Sequence, residues 1–233
     1  MTNTDLYNAS TWVLPAIIAI TLHEAAHGYV AHIFGDDTAL RQGRVSFNPL
    51  RHIDPIGTIL LPAVMLISRA PFLFGYAKPV PVVFKNLNNP RRDMLWVAAA
   101  GPGMNILLAA MSAALFHLLI LLPEDKAVWV AANLMNSIKL NVFLAVFNML
   151  PILPMDGGRV LLSILPYPIA MFYARSERYG MLIIMGLLFL LPMILANMGY
   201  QANLFSELFT VPTHAIMRLI LKLFGLVDGP YGS

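Results

Sequence analysis

The sharpest chemical feature of the sequence is the run His23-Glu24-Ala25-Ala26-His27. On a helix, residues four apart lie one turn apart on nearly the same face. Two imidazoles in that register can hold one Zn²⁺, and the glutamate between them can reach a water at the metal. Two histidines and a glutamate inside an apolar span are costly unless something compensates them. The alternative is a hydrogen-bonded polar patch in a helix bundle. The chain contains no cysteine, so disulfides and thiolate sites are excluded and any metal must be held by His, Asp or Glu. Val30 and Ile33 stand where the extended zinc motif carries Gly and His. His32 points about 140° away from His27 on an ideal helix and reads as a packing or interfacial residue. The better third ligand is Asp156, within Asn148-Met-Leu-Pro151-Ile-Leu-Pro154-Met-Asp156-Gly157-Gly158. A backbone broken at membrane depth is tolerated only where it is buried in protein or lines a cavity, and the break lets a short carboxylate approach a metal. An Asp-Gly turn at the membrane edge is the other reading of this segment. A further element is Gly101-Pro102-Gly103-Met104-Asn105. Its small residues allow close helix approach, and Asn105 is either structural glue or a group facing the active site.

The elements that must position these residues are membrane spans. Of the 233 residues, 58% are hydrophobic and 12% charged, and mean hydropathy is +0.71. A soluble domain carries about 25% charged residues. Disorder is excluded by the same figures. The isoelectric point is 9.3, but the net charge is only +3 and the basic residues are scattered, which argues against a nucleic-acid partner. A span needs about 20 mostly apolar residues. Residues 12–34 qualify and carry the His-Glu-x-x-His run. Residues 56–74 are clean only from Ile56 to Ile67 and read as a re-entrant or buried piece. Residues 94–122 contain no Asp, Glu, Lys or Arg. The next span is placed at 140–158, which leaves Lys139 to snorkel at the interface, and 181–198 is a plain span. Residues 1–11 lack Lys and Arg, so the first apolar run reads as retained rather than as a cleaved signal. Short strands are expected near 43–48 and 78–83, at an edge where proline occurs. The tail 211–226 reads as an amphipathic interfacial helix with Ile216, Leu219, Ile220 and Leu223 on one face.

Taken together, His23-Glu24-x-x-His27, the Gly-Pro-x-x-Asn element at 101–105 and Asn148-x-x-Pro151-x-x-x-x-Asp156-Gly157 resemble the site-2 protease family of intramembrane zinc metalloproteases, over roughly residues 12–165. The resemblance implies an all-α polytopic membrane protein with a core of three helices, additional segments and short membrane-associated β-strands near 43–48 and 78–83, built as one domain over 1–233. It implies that His23, His27 and Asp156 bind one Zn²⁺, that Glu24 is catalytic, and that Asn148 lies beside the active site and holds the substrate backbone; Asn105 is the second candidate for substrate contact. The resemblance is to a short form of the family, expected to be without the PDZ and CBS domains that some members carry. His52 is outside the shared motifs and reads as a satisfied loop histidine, with a supporting role behind the metal as the alternative.

The expected reaction is peptide-bond hydrolysis of single-span membrane substrates within or near the bilayer, the substrate unwinding and pairing with a strand edge. An inactive scaffold on the same fold and an ion-coupled transporter are the rival functions; a transporter usually shows paired half-repeats, and only the break at 151–158 is found. His23 and Asp156 reach one depth only if their segments run parallel, with 94–122 as the single crossing between them, so 56–74 is expected not to span. The stretch 35–93 then lies on one side with eight Lys and Arg, and 123–126 on the other with one. The positive-inside rule puts the basic side in the cytoplasm, with the site nearer that face of a bacterial cytoplasmic membrane.

Overall fold

The computed structural model describes residues 3–60, 64, 77–198 and 206–227. Its helices are α1 (Asn3–Ile33), α2 (Thr38–Arg41), α3 (Pro90–Leu115), α4 (Glu124–Asn148), α5 (Asp156–Ile164), α6 (Tyr167–Ala174), α7 (Gly180–Met185), α8 (Leu191–Asn197) and α9 (Val211–Leu223), with shorter 3-10 and π turns between them. Among the described residues, three stretches are long and apolar enough to cross a membrane: Ala9–Ile33, Pro90–Leu121 and Glu124–Asn148. The protein is an all-α polytopic membrane protein.

Polar contacts fix the directions of these three helices. His27 meets Val97 and His23 meets Asn105, so α1 and α3 are antiparallel. Asn105 meets Asn141 and Ser112 meets Ser137, so α3 and α4 are antiparallel too. Hence α1 and α4 are parallel with α3 as the crossing between them, as expected. The boundary of the last span is corrected. α4 begins at Glu124 rather than at 140, and Asp156 starts a separate helix. Pro123 precedes an acidic first turn, Glu124 and Asp125, which favours a helix N-terminus there. Lys139 falls on an exposed face of α4, where its stem can lie along apolar surface, so it is no barrier to the span.

Small residues let the helices close. Ala109 and Ala113 of α3 pack with Ala131, Ile138 and Val142 of α4, and Phe116, Leu119 and the tail residues Ile220 and Leu221 complete this core. The tail therefore does not lie free at an interface. Phe209 stacks near Phe143 and Phe147, while His117 Nε2 contacts the Phe224 carbonyl at 2.9 Å. α9 thus runs antiparallel along α4. The burial separates Ile220 from Leu219 and Leu223, which stay exposed; the packed face is set by Thr213, Met217, Ile220 and Leu221 rather than by the full apolar stripe. Residues 180–197 are helical, with a π turn at Gly186–Leu190 joining α7 to α8. Most of 56–74 lies outside the described residues; its start, Pro55–Leu60, forms a π turn.

No strand forms among the described residues, and this corrects the expectation for 43–48 and 78–83. The second segment has no regular structure, and its backbone groups bond to scattered partners instead of a ladder. Lys78 N–H donates to the His52 carbonyl at 2.9 Å. Val80 N–H donates to Glu24 Oε2 at 2.8 Å, and Val83 N–H to Asp36 Oδ2 at 2.6 Å. Arg44 donates to the carbonyls of Lys78 and Pro79. Pro79 and Pro81 have no N–H to give. The connector from α1 to α3 is thereby tied at its base, where Asn88 N–H also reaches the Phe34 carbonyl at 2.8 Å. Asp36 is the knot: it is fully buried and also accepts from Thr38 N–H and Oγ1 and from Asn86 Nδ2 at 3.0 Å. Burial pushes its carboxyl up, but the hydrogen bonds from Thr38, Asn86 and Val83 outweigh that and hold it below the usual carboxylate range.

Candidate metal centre

The helical register of α1 brings His23 and His27 to one face, and both are buried. Their Nε2 atoms are 3.2 Å apart. Asp156, the first residue of α5, arrives from the far side: its Oδ2 lies 3.2 Å from His23 Nε2 and 3.4 Å from His27 Nε2. These three residues form the group able to hold a metal ion, with ligand atoms within 4.8 Å of one another.

Protons decide what the group can bind. His23 Nδ1 faces Asn105 Oδ1 at 2.5 Å, and His27 Nδ1 faces the Val97 carbonyl at 2.7 Å. Both acceptors are oxygens, so each neutral ring carries its proton on Nδ1. Each then turns a lone pair from Nε2 toward the same point, and Asp156 Oδ2 adds a third. Asp156 Oδ2 is buried with no hydrogen-bond donor of its own. Three lone pairs facing one another without a proton call for a cation. Two nitrogens and one carboxylate oxygen are a donor set suited to zinc, which in hydrolytic sites takes three protein ligands and keeps one position open.

Two glycines make the convergence possible. A Cβ on Gly101 would sit 2.4 Å from His27 Nε2 and 2.6 Å from His23 Nε2, so any side chain on α3 at this level would fill the ligand space. A Cβ on Gly157 would meet the Met149 carbonyl oxygen at 2.2 Å, so only glycine after Asp156 lets α5 start against the end of α4. Gly157 and Gly158 are not turn residues; they are helical and chosen for contact.

Glu24 projects beside the group without joining it, and its Oε2 accepts the Val80 N–H. Asn105 is fully buried. Its Oδ1 faces His23 Nδ1 and its Nδ2 donates to Asn141 Oδ1. Asn148 is the last residue of α4, and its Nδ2 donates back to the Leu144 carbonyl at 3.0 Å, one turn earlier. Its Oδ1 and second N–H are not used in that bond. His52 is buried; its Nε2 contacts the Ser46 carbonyl at 2.9 Å, and its Nδ1 has no hydrogen-bond partner. His32 pairs with Asp37 at 2.6 Å on an exposed surface. Sequence reasoning missed Asp36, Arg44 and Asn141. Asn141 carries the same signal that singled out Asn105: a carboxamide within an apolar run.

No family model matches the chain, and no solved structure matches it. Among curated proteins, it is 36% identical over 211 residues to the "Putative zinc metalloprotease YwhC" of Bacillus subtilis (strain 168), covering 84% of this chain and 91% of that protein. It is 29% identical over 179 residues to the "Putative zinc metalloprotease Rip2" of Mycolicibacterium smegmatis, covering 74% of this chain and 64% of that one. The likeness to YwhC runs over nearly the whole of both chains, and the three motifs meet in space at one zinc-suited donor set. The chain belongs to the site-2 protease family of zinc metalloproteases.

Proposed function

We propose that this protein is an intramembrane zinc endopeptidase that cuts single-span membrane proteins within or near the bilayer. The observation that carries the reading is the convergence of three metal-binding lone pairs beside a glutamate, among helices of membrane-crossing length. One Zn²⁺ per chain, held by His23, His27 and Asp156, supplies Lewis-acid chemistry: it polarises a carbonyl and lowers the pKa of water towards about 7. Glu24 is the base. It takes a proton from the attacking water as the water oxygen bonds to the scissile carbonyl carbon, and returns it to the nitrogen as the C–N bond breaks. The Val80 N–H occupies Oε2, which leaves Oε1 to receive that proton.

The substrate must be extended at the cut, because helical hydrogen bonds shield each carbonyl. An extended backbone in lipid leaves groups unpaired at a cost of several kcal/mol each. The run 77–83, whose Val80 N–H meets Glu24 and which forms no ladder of its own, is suited to pair with the substrate backbone there. The free Oδ1 and N–H of Asn148 are suited to a substrate peptide group. The eight Lys and Arg of 35–93 favour a cytoplasmic location for that connector, and the bacterial relatives favour the bacterial cytoplasmic membrane, with the site nearer the cytoplasmic face. Single cysteines at 45 and 88 are expected to label from one face, and one at 124 from the other.

Purified protein in detergent, given candidate single-span substrates, is expected to cleave them with zinc and to stop with chelator. Glu24→Gln is expected to keep one zinc per chain and lose cleavage. Turnover that survives the chelator, or that is undiminished in Glu24→Gln, refutes the reading.

A further inference from the structure

The interior of the three-helix core contains a line of polar side chains that the hydrolytic reading does not use. Asn105 Nδ2 donates to Asn141 Oδ1 at 2.8 Å. Asn141 Nδ2 donates to the Ser137 carbonyl at 2.9 Å and to Ser137 Oγ at 3.2 Å. Ser112 Oγ donates to Ser137 Oγ at 2.8 Å. Asn105 and Asn141 are among the most deeply buried side chains of the molecule. Polar groups at such depth are costly unless every one is paired, so their arrangement is tightly constrained.

The constraint has a direction. The Ser137 carbonyl can only accept, so the Asn141 amide must turn its NH₂ toward it and its Oδ1 toward Asn105. Asn105 must then offer its NH₂ to Asn141, and the Ala19 carbonyl, 3.4 Å from the same nitrogen, favours the same orientation. That leaves Asn105 Oδ1 facing His23 Nδ1. An acceptor there requires the proton on Nδ1 and frees the lone pair on Nε2, the atom that faces His27 and Asp156. We infer that Asn141 is a positioning residue: acting through Asn105, it fixes which nitrogen of His23 is free for the metal. This inference rests on the reading of His23 as a zinc ligand. The hydrogen-bond partner of a ligating histidine usually sets its tautomer and ring orientation; here that partner is an amide with two possible orientations, and the Asn141 bond from α4, shorter than the 3.4 Å contact to Ala19, is the main one to decide between them.

The test reads the tautomer and the metal separately. In metal-free protein with ¹⁵N-labelled histidine, His23 is expected to be the Nδ1–H form. Asn141→Leu keeps the branched shape and removes the amide. It is expected to give a mixture of His23 tautomers and to weaken zinc binding by about tenfold, the lower end of the range for partners of metal ligands. Adding Asn105→Asp to it is expected to restore both, because a carboxylate accepts with either oxygen and has no wrong orientation. Should Asn141→Leu not fold, Asn141→Ala is read in the same way. A wild-type His23 protonated on Nε2 overturns the inference, as does an Asn141 variant with unchanged tautomer and zinc affinity. A wild type that binds no zinc, with His23 in the Nδ1–H form and responsive to Asn141, sinks the zinc reading and leaves the role of Asn141 standing.

Discussion

The two sides of the metal group are held by different means. On the inner side, His23 and His27 are fixed by α3 through a carboxamide and a backbone carbonyl, and α4 backs the carboxamide with a second one. Those contacts are buried between long helices and involve atoms that cannot move without shifting the core. On the outer side, Glu24 is met by one N–H of an irregular segment, Val80, and that segment is tied down by Arg44 and Asp36. Ligands need rigidity, because a metal affinity is lost over fractions of an ångström. A base that must meet an incoming substrate needs a wall that can be approached and repaired. The molecule places regular helix behind the metal and irregular chain in front of it.

The largest expected effect breaks the inner side. His27→Ala leaves His23 and Asp156 without their partner, and zinc content is expected to fall close to zero by metal analysis, with cleavage lost. Glu24→Gln follows: cleavage is expected to fall by about 10²–10⁴, the usual contribution of a positioned acid–base group, while zinc content stays at one per chain. A parallel loss of zinc would show that Glu24 belongs to the inner group after all. Asn105→Leu is expected to weaken zinc binding roughly 10–100-fold without removing any ligand, which calorimetric titration of metal-free protein would measure.

The outer side gives smaller effects. Val80→Pro deletes the one N–H that meets Glu24. A hydrogen bond to a charged group contributes about 1.5–3 kcal/mol, so cleavage is expected to slow by about tenfold or more with zinc affinity unchanged. Equal loss of zinc and cleavage would erase the distinction between the two sides. The smallest effect is a pH dependence. The folded Asp36 carboxyl lies below its ordinary value, so its contribution to stability is full above about pH 4 and fades as pH falls through the folded value. The thermal midpoint in detergent is expected to decline in that acid range, and Asp36→Asn should flatten that part of the decline.

Much of the inner side was legible in the sequence. The four-residue spacing of His23 and His27 fixes a shared face whatever surrounds it, and an apolar chain without cysteine leaves few residues for a third ligand. The parallel course of the first and third long helices also followed from matching the depths of His23 and Asp156, even though the third helix starts earlier than expected. What could not be read was contact. Gly101 carries its meaning only when two imidazoles stand against it, and Asn105 reads as glue or as substrate contact until its burial is known. The outer side was less legible because its order comes from single bonds between distant residues. The Val and Pro content of 78–83 predicts a strand, and none forms there; the partners that replace a ladder, Glu24, Asp36, Arg44 and His52, are scattered through the first 52 residues and carry no periodic signal.

The tied base of the connector has a consequence for how such a chain can vary. The bonds between Phe34 and Asn88, Asp36 and Val83, and His52 and Lys78 close three nested loops, the innermost holding residues 53–77. Once a loop is closed at its neck, lengthening it costs little: each doubling adds only about 0.6 kcal/mol of closure entropy. The ligand geometry sits on the far side of that neck. What the helices that hold the metal group depend on is therefore the neck itself, and hardly at all the length of chain between its two sides.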